Sequence, residues 1–346
     1  MKLLVTGGAG FIGTNFIRYW LKEYSDDTII NLDRLTYAGN LTNLTDIVLA
    51  YSERYVFAQG DILDDAFVSE LIETHQPDVI VNFAAESHNS RAILQPRRFF
   101  ETNVIGTQVL LDAARQYGVP RFHHISTCEV YGELPLDSLN AFTETAPYRP
   151  QTPYNASKAA ADHLVNAYFH SFELPITISN CSNNYGAYQH PEKLIPLFTT
   201  NAIQDLPLTL YRSSHNRREW LHVDDHCRAI AEVIHNGRIG ETYNIGSSVE
   251  KSIEEITDFI LHTLGKPQTL KTYVPDRPGH DCRYLLNSEK IHRELGWKPE
   301  IPYEQGMRQT IQWYVENREW WEKIQQNVDK EIVQEDRWDT FSQQKR

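Results

Sequence analysis

The sequence predicts an α/β protein, a doubly wound parallel sheet carrying a smaller mixed α/β lobe. Three observations predict it. Short apolar strands alternate with amphipathic helical stretches through the first half of the chain. A glycine-rich turn joins the first strand to the first helix. After about residue 185, prolines break the chain into shorter pieces. Apolar strands separated by helices imply parallel βαβ units, and right-handed crossovers wind such units into one sheet covered on both faces. The chain has 346 residues, and at roughly 150 residues per domain that allows two domains, or one with a lobe attached.

Strands are expected over 2–7, 28–33, 55–61, 78–85, 121–127 and 175–180, and helices over 11–24, 64–75, 97–117 and 154–172. The dinucleotide-type domain is assigned to 1–184 with a return over 221–246. The lobe takes 185–220 and 247–330, and 331–346 is a polar tail. The stretches 99–117 and 154–172 are apolar on more than one side, which suggests a homodimer through a helix bundle.

Lys and Arg total 33 against 46 Asp and Glu, a net charge of −13, which argues against nucleic acid as a partner but not against a small phosphorylated ligand held by local amides and arginines. No apolar run reaches the roughly 18 residues of a membrane span, and no signal-peptide shape opens the chain. Cys128, Cys181, Cys227 and Cys282 lie far apart, which favours a reducing cytoplasm over disulfides or zinc. His88, His123, His124, His215 and His222 show no metal-ligand spacing, so no metal is expected.

The turn VTGGAGFIG (5–13) holds Gly8, Gly10 and Gly13 in the G-x-G-x-x-G spacing. Such a turn lets backbone amides approach a pyrophosphate at a helix N-terminus. Asp33 closes the second strand twenty positions after Gly13, where an acid bonds ribose hydroxyls and favours NAD over NADP. Asp61-Ile62 and Phe83-Ala84-Ala85 are placed at the ends of the third and fourth strands, where open α/β sheets hold ligands.

Tyr154 and Lys158 form Y-x-x-x-K at a helix start, on one helical face. An ammonium beside a phenol lowers its pKa, so Tyr154 is expected to accept a hydroxyl proton near neutrality. Ser126 or Thr127, at the end of the fifth strand, is placed to bond the same substrate hydroxyl.

At this point the chain resembles the extended short-chain dehydrogenase/reductases and, within them, the dTDP-glucose 4,6-dehydratase family. The resemblance spans nearly the whole chain and includes TGGAGFIG, NLDRLTYAGN, AAESH, STCEVYGEL, YNASKAAADH, NCSNNYG, PEKLIPL, REWLHVDDH, ETYNIG and DRPGHDCRY. It implies a Rossmann fold and a nucleotide-diphosphate sugar as substrate. Tyr154 would take the proton of the sugar 4-hydroxyl while the C4 hydride passes to bound NAD. Glu129 would remove the C5 proton, water would leave from C6, and the hydride would return there. The resemblance extends the cofactor set to Gly7, Phe11, Ile12, Leu35, Thr36, Ser87, Thr102 and Asn184. It extends the substrate set to Ser87, His88, Thr127, Glu129, Asn183, Lys193, Leu194, Tyr211, Arg218, Arg277, His280 and Asp281.

The family pattern S-T-D-E-V-Y-G puts an acid where this chain has Cys128, and H-V-D-R-S reads His88-Asn89-Ser90-Arg91-Ala92 here. A thiol is protonated at neutral pH and can in principle donate, but it is a weak hydrogen-bond donor. Three readings stand. The chain is a 4,6-dehydratase with Cys128 as a poorer acid. It is an enzyme diverted to another C4-redox outcome, such as 5,6-dehydration. Or it is a sugar-nucleotide-binding protein without turnover.

Overall fold

The computed structural model describes residues 1–276 and 280–327. The first half runs β1 (Lys2–Thr6), α1 (Phe11–Glu23), β2 (Thr28–Asp33), α2 (Thr45–Ala50), β3 (Tyr55–Gln59), α3 (Asp65–His75) and β4 (Val79–Asn82). It continues through α4 (Asn89–Leu94), α5 (Pro96–Phe100), α6 (Gly106–Gln116), β5 (Arg121–Thr127), α7 (Pro153–Phe172) and β6 (Ile176–Cys181). The second half holds β7 (Asn183–Tyr185), α8 (Leu194–Ile203), β8 (Leu208–Tyr211), β9 (Arg217–His222), α9 (Val223–Asn236), β10 (Thr242–Ile245) and β11 (Glu250–Ser252). It ends with α10 (Ile253–Leu264), β12 (Lys271–Val274), α11 (Glu289–Leu295), α12 (Tyr303–Glu316) and α13 (Arg318–Asn327).

The main sheet is the expected doubly wound one. Its seven strands are all parallel, in the order β10-β6-β5-β4-β1-β2-β3. Each face buries apolar side chains against helices, which is why the strands read as nearly continuous apolar runs. On one face Val68, Leu71, Leu110, Leu111, Val165 and Tyr168 of α3, α6 and α7 pack on Leu4, Ile30 and Ile80. On the other, Phe16, Ile17 and Trp20 of α1 meet Ile230 and Ile234 of α9 over Leu3, Val5 and Val81.

The smaller lobe pairs β11-β9-β7 in one sheet and β12-β8 in another, with Phe198, Ile256, Ile260, Met307 and Ile311 forming its core. β9 therefore belongs to a lobe sheet as far as His222, and the chain rejoins the main sheet only through α9 and β10. The proposed tail, 331–346, lies outside the described residues.

Three expected elements differ. β3 stops at Gln59 and β4 at Asn82, so Asp61-Ile62 and Phe83-Ala84-Ala85 stand in the loops just beyond the strands. The helix expected over 97–117 is α5 and α6 joined by a π turn over Glu101–Ile105, where the Gly106 amide bonds Glu101 O. That wider turn turns Asn103 inward. Its side chain bonds the backbone of Glu86 in both directions, at 2.9 and 3.0 Å, and Ser157 Oγ at 2.8 Å.

Candidate active site

Strand order reverses between β1 and β4, and the crevice at such a switch point is where open α/β sheets bind ligands. A cleft of about 330 Å³ opens there. At its nucleotide end Gly7, Gly10, Phe11, Ile12 and Gly13 form the wall. Gly7 has φ +70°, and a Cβ there would come 2.7 Å from the backbone nitrogen of Ala84. A Cβ on Gly13 would come 2.4 Å from Gly7 O, so the turn closes only with glycine at both positions.

Asp33 lines the same cleft and accepts from the Ala9 amide at 2.9 Å and the Leu35 amide at 2.8 Å. The second bond holds Leu35 in a left-handed conformation, φ +58°. Leu35, expected against the cofactor, does not line the cleft. It shapes the loop that carries Thr36, which does. Asp61, paired with Arg34 at 2.8 Å, joins Ile62, Phe83, Ala84, Ala85, Ser87, Thr102 and Asn184 on the wall.

At the other end Thr127, Glu129, Tyr154 and Lys158 converge. Thr127 ends β5 and caps the following 3-10 turn, accepting from the Glu129 amide at 3.2 Å. Thr152 caps α7 one residue before Pro153, which fixes where Tyr154 and Lys158 begin. Lys158 is buried, with its Nζ donating to Ile125 O at 2.7 Å and lying 3.2 Å from His124 Nε2. Burial pulls its pKa down to about 8, and the nearby Asp162 opposes that fall. Asp162, itself pushed up to about 6 by burial, accepts from Ser126 at 2.7 Å and Tyr148 at 3.0 Å. Asp162 repeats the Tyr154–Lys158 spacing one helical turn further on. That spacing is the signal that could have found it.

Tyr154 differs from expectation. Burial first, and then the charge of Glu129, hold its phenol well above the ordinary value, against the opposing hydrogen bond to Thr127. Cys128 also differs. Thr127 and Glu129 line the cleft while Cys128 turns inward. Its side chain packs with Val130, Tyr131, Ala159, Tyr284 and Leu286 rather than on the cleft wall. Burial and the neighbouring Glu129 keep the thiol protonated.

Of the expected substrate residues, Ser87, Asn183 and Lys193 reach the cleft, and Lys193 Nζ donates to Ser87 O at 3.1 Å. His88 caps α4 instead, and Leu194 begins α8; neither lines the cleft. Tyr211, Arg218, His280 and Asp281 do not line the cleft and lie together in the lobe, with Arg218 4.8 Å over the ring of Tyr284, which packs with Cys128. The Tyr211 and His280 rings lie 5.0 Å apart. Arg218 donates to the backbone carbonyls of Asp281 at 2.7 Å and Arg217 at 2.8 Å, so its fork is engaged within the protein. Arg277 lies outside the described residues.

Sequence reading missed Glu192 and His190, which also line the cleft. Burial pushes the Glu192 carboxyl up, but Lys193, His88, His190 and Arg91 together bring it below its usual range. A larger cavity of about 700 Å³ opens beside the cleft between the loop after β2 and helices α12 and α13. It carries none of Thr127, Glu129, Tyr154 or Lys158. Among the described residues there is no cluster of three or more metal-ligating side chains.

A family model for GDP-mannose 4,6 dehydratase matches residues 4–310. The chain is 47% identical to the dTDP-glucose 4,6-dehydratase of Shigella flexneri, covering 94% of this chain and 95% of that one. It is 46% identical to dTDP-glucose 4,6-dehydratase 1 of Escherichia coli K12, over 94% and 95% of the two chains. Among solved structures, DesIV, a dTDP-glucose 4,6-dehydratase from Streptomyces venezuelae crystallised with NAD, superposes with a TM-score of 0.90. It is 48% identical, over 94% of this chain and 100% of that one. A UDP-glucose 4-epimerase from Thermotoga maritima matches at 26% identity and a TM-score of 0.84, covering 91% of this chain and 99% of that one. With the glycine turn, the Tyr154–Lys158 pair and Glu129 on one cleft, and likeness of this extent on both chain and fold, the protein belongs to the dTDP-glucose 4,6-dehydratase family of extended short-chain dehydrogenase/reductases.

Proposed function

We propose that this chain uses NAD to convert dTDP-glucose, or a closely related nucleotide hexose, to the 4-keto-6-deoxy sugar and water. The observation that carries the reading is one continuous cleft running from the glycine turn after β1 to Thr127, Glu129, Tyr154 and Lys158. The residues fit NAD. The Gly7–Gly13 turn presents backbone where side chains would close the approach, and Asp33 sits at the strand end suited to ribose hydroxyls. When bound, NAD supplies a hydride acceptor for C4, a hydride donor for C6 and a positive ring beside Tyr154.

The chain's own residues do the proton work. Thr127 and Tyr154 face one substrate hydroxyl, and Tyr154 takes its proton. Burial and the Glu129 charge oppose the phenolate and the Thr127 hydrogen bond favours it; Lys158, one helical turn on, has its ammonium supported by Asp162 and favours an anion on the same face of α7. Once C4 is a ketone the C5 proton is acidic, and Glu129 removes it. Asn183, whose buried Oδ1 has no partner within the protein, supports a polar ligand on the lobe side of the cleft.

The test is incubation with C4-deuterated dTDP-glucose. The expected product has lost one water and carries the label at C6. Cys128 at the family's acid position favours one second reading, 5,6-dehydration, in which the label returns to C4 and an alkene remains. No turnover, with NAD still bound, would sink both.

Cys128→Asp is expected to leave the rate of water loss on dTDP-glucose close to that of wild type, because the side chain at this position packs away from the cleft wall. The burial and the Glu129 charge that push the thiol up would push up a carboxyl there as well. A clear rise in rate, measured by product formation, would show that position 128 reaches the departing hydroxyl and supplies its acid.

Asp162→Asn is expected to move the break at which the rate stops rising with pH to lower pH. Burial already lowers Lys158 to about 8 while Asp162 resists. Without that anion the ammonium loses its proton at lower pH, so the rate levels off sooner as pH rises. A shift of about one unit is the expected size.

A homodimer is the assembly proposed. Phe100, Ile105 and Phe172 stand exposed on the α5–α7 stretch, and a second copy would cover them. Sedimentation at micromolar concentration should give twice the chain mass. The cytoplasm is the compartment proposed, supported by four free cysteines and by the lack of any described helix long and apolar enough to cross a membrane.

A further inference from the structure

Asn89 lies in the stretch where this chain departs from the family pattern, with asparagine where that pattern has valine. In the structure its amide meets the reacting carboxylate. Asn89 Nδ2 donates to Glu129 Oε2 at 3.0 Å. Asn89 Oδ1 in turn accepts from Thr152 Oγ1 at 2.7 Å. The Thr152 hydroxyl is itself fixed, because its oxygen caps α7 by accepting from the Asn155 amide at 3.2 Å. With that lone pair engaged, the hydroxyl proton points at Asn89 Oδ1. The amide then has one sensible orientation, with NH₂ toward Glu129.

The three residues come from three elements: Asn89 opens α4, Glu129 lies in the turn after β5, and Thr152 caps α7. α7 also carries Tyr154 and Lys158, so the chain of bonds ties the carboxylate to the helix that holds the tyrosine. A carboxylate receiving an N–H donor is held as the anion and in one rotamer. Both properties serve a base that must meet a C5 proton.

We propose that Asn89, oriented by Thr152, is a positioning residue for Glu129, fixing its rotamer and favouring its ionised form for C5 deprotonation. The proposal rests on the dehydratase reading for its kinetics but not for its structural readout. The titratable groups that face Glu129 are Cys128 beside it, Tyr154 of α7, Cys181 at the end of β6 and Tyr284 of the lobe segment, all neutral when protonated and all pushed up partly by Glu129. Asn89 adds an N–H donor from the α4 side.

The experiment compares wild type, Asn89→Val, Asn89→Asp and Thr152→Ser as NAD-loaded full-length proteins. With dTDP-glucose, Asn89→Val should slow water loss about 30-fold, the scale of one charge-assisted hydrogen bond. The burst of reduced nicotinamide that reports C4 oxidation should stay within about twofold. Asn89→Asp, which sets a second carboxylate against Glu129, should slow water loss further. Thr152→Ser keeps the hydroxyl and should match wild type. Without substrate, an infrared difference titration, with Glu129→Gln assigning the band, should find the Glu129 carboxyl titrating at higher pH in Asn89→Val. Unchanged water loss together with an unchanged band overturns the proposal. If wild type makes no keto sugar while the band still shifts, the dehydratase reading fails and the positioning role stands. If all variants slow both steps equally, the role is structural only and the proposal fails.

Discussion

Glu129→Gln is expected to slow release of water on the order of a thousandfold, the range measured for removal of a general base, while oxidation at C4 continues. The asymmetry follows from position. Tyr154 and Lys158 lie on α7 and act at the first hydroxyl, whereas Glu129 lies in the turn after β5. The amide is nearly the shape of the carboxylate, so the turn and its Thr127 cap should persist. It cannot accept a proton from carbon, so the ketone stage should accumulate, visible as a lasting rise in reduced-nicotinamide absorbance. One side effect works in favour of the first step. Glu129's charge is among the causes that raise the Tyr154 phenol. Its removal should let Tyr154 ionise at lower pH, so the acidic limb of C4 oxidation should move down. A variant that loses both oxidation and water release together would place Glu129 at the first step and contradict this division of labour.

The framework of that site was legible in the sequence wherever apolar periodicity and hydrogen bonding end at the same residue. β2 over 28–33 and β5 over 121–127 have the expected bounds, and both deliver site residues, Asp33 and Thr127, at their carboxyl ends. β3 and β4 stop earlier than their apolar runs, because hydrophobicity continues into Ile62 and Phe83 after the ladder has ended. The π turn at Glu101–Ile105 is invisible to helical spacing, since one widened turn leaves the apolar stripe on both sides intact. What the sequence does not display is pairing across distance. Asn89 and Thr152 meet 63 residues apart, and Arg218 spends its fork on a carbonyl 63 residues away. Backbone oxygens leave no mark in composition, so nothing in the sequence shows that Arg218 donates to the Asp281 carbonyl. Cys128 was misplaced for a related reason. Its neighbours in sequence face the cleft, but the direction of each side chain depends on the 3-10 turn that begins there.

Tyr154→Phe is expected to abolish both steps, on the order of a thousandfold or more, with the fold intact. The ring sits beside Phe99, centroids 6.3 Å apart in an edge-on arrangement, and packs with Ala92. Phenylalanine keeps those contacts, so the melting temperature should change little and NAD should remain bound. In the mechanism proposed above, the lost oxygen is the group that takes the first proton, with Thr127 on the same hydroxyl. Lys158 cannot substitute. Its Nζ is already committed to Ile125 O, with His124 alongside, and as an ammonium it has no lone pair to offer. The two variants therefore separate cleanly. Glu129→Gln leaves reduced nicotinamide without product, whereas Tyr154→Phe leaves neither. Because burial holds the phenol high in the free protein, the wild-type rate should rise with pH until Lys158 begins to lose its proton near 8 and level off there, each further gain in phenolate being offset by loss of the ammonium. That rise should vanish from the residual activity of Tyr154→Phe. A residual rate that keeps the wild-type profile would mean that another group accepts the proton, and the assignment of Tyr154 would have to be withdrawn.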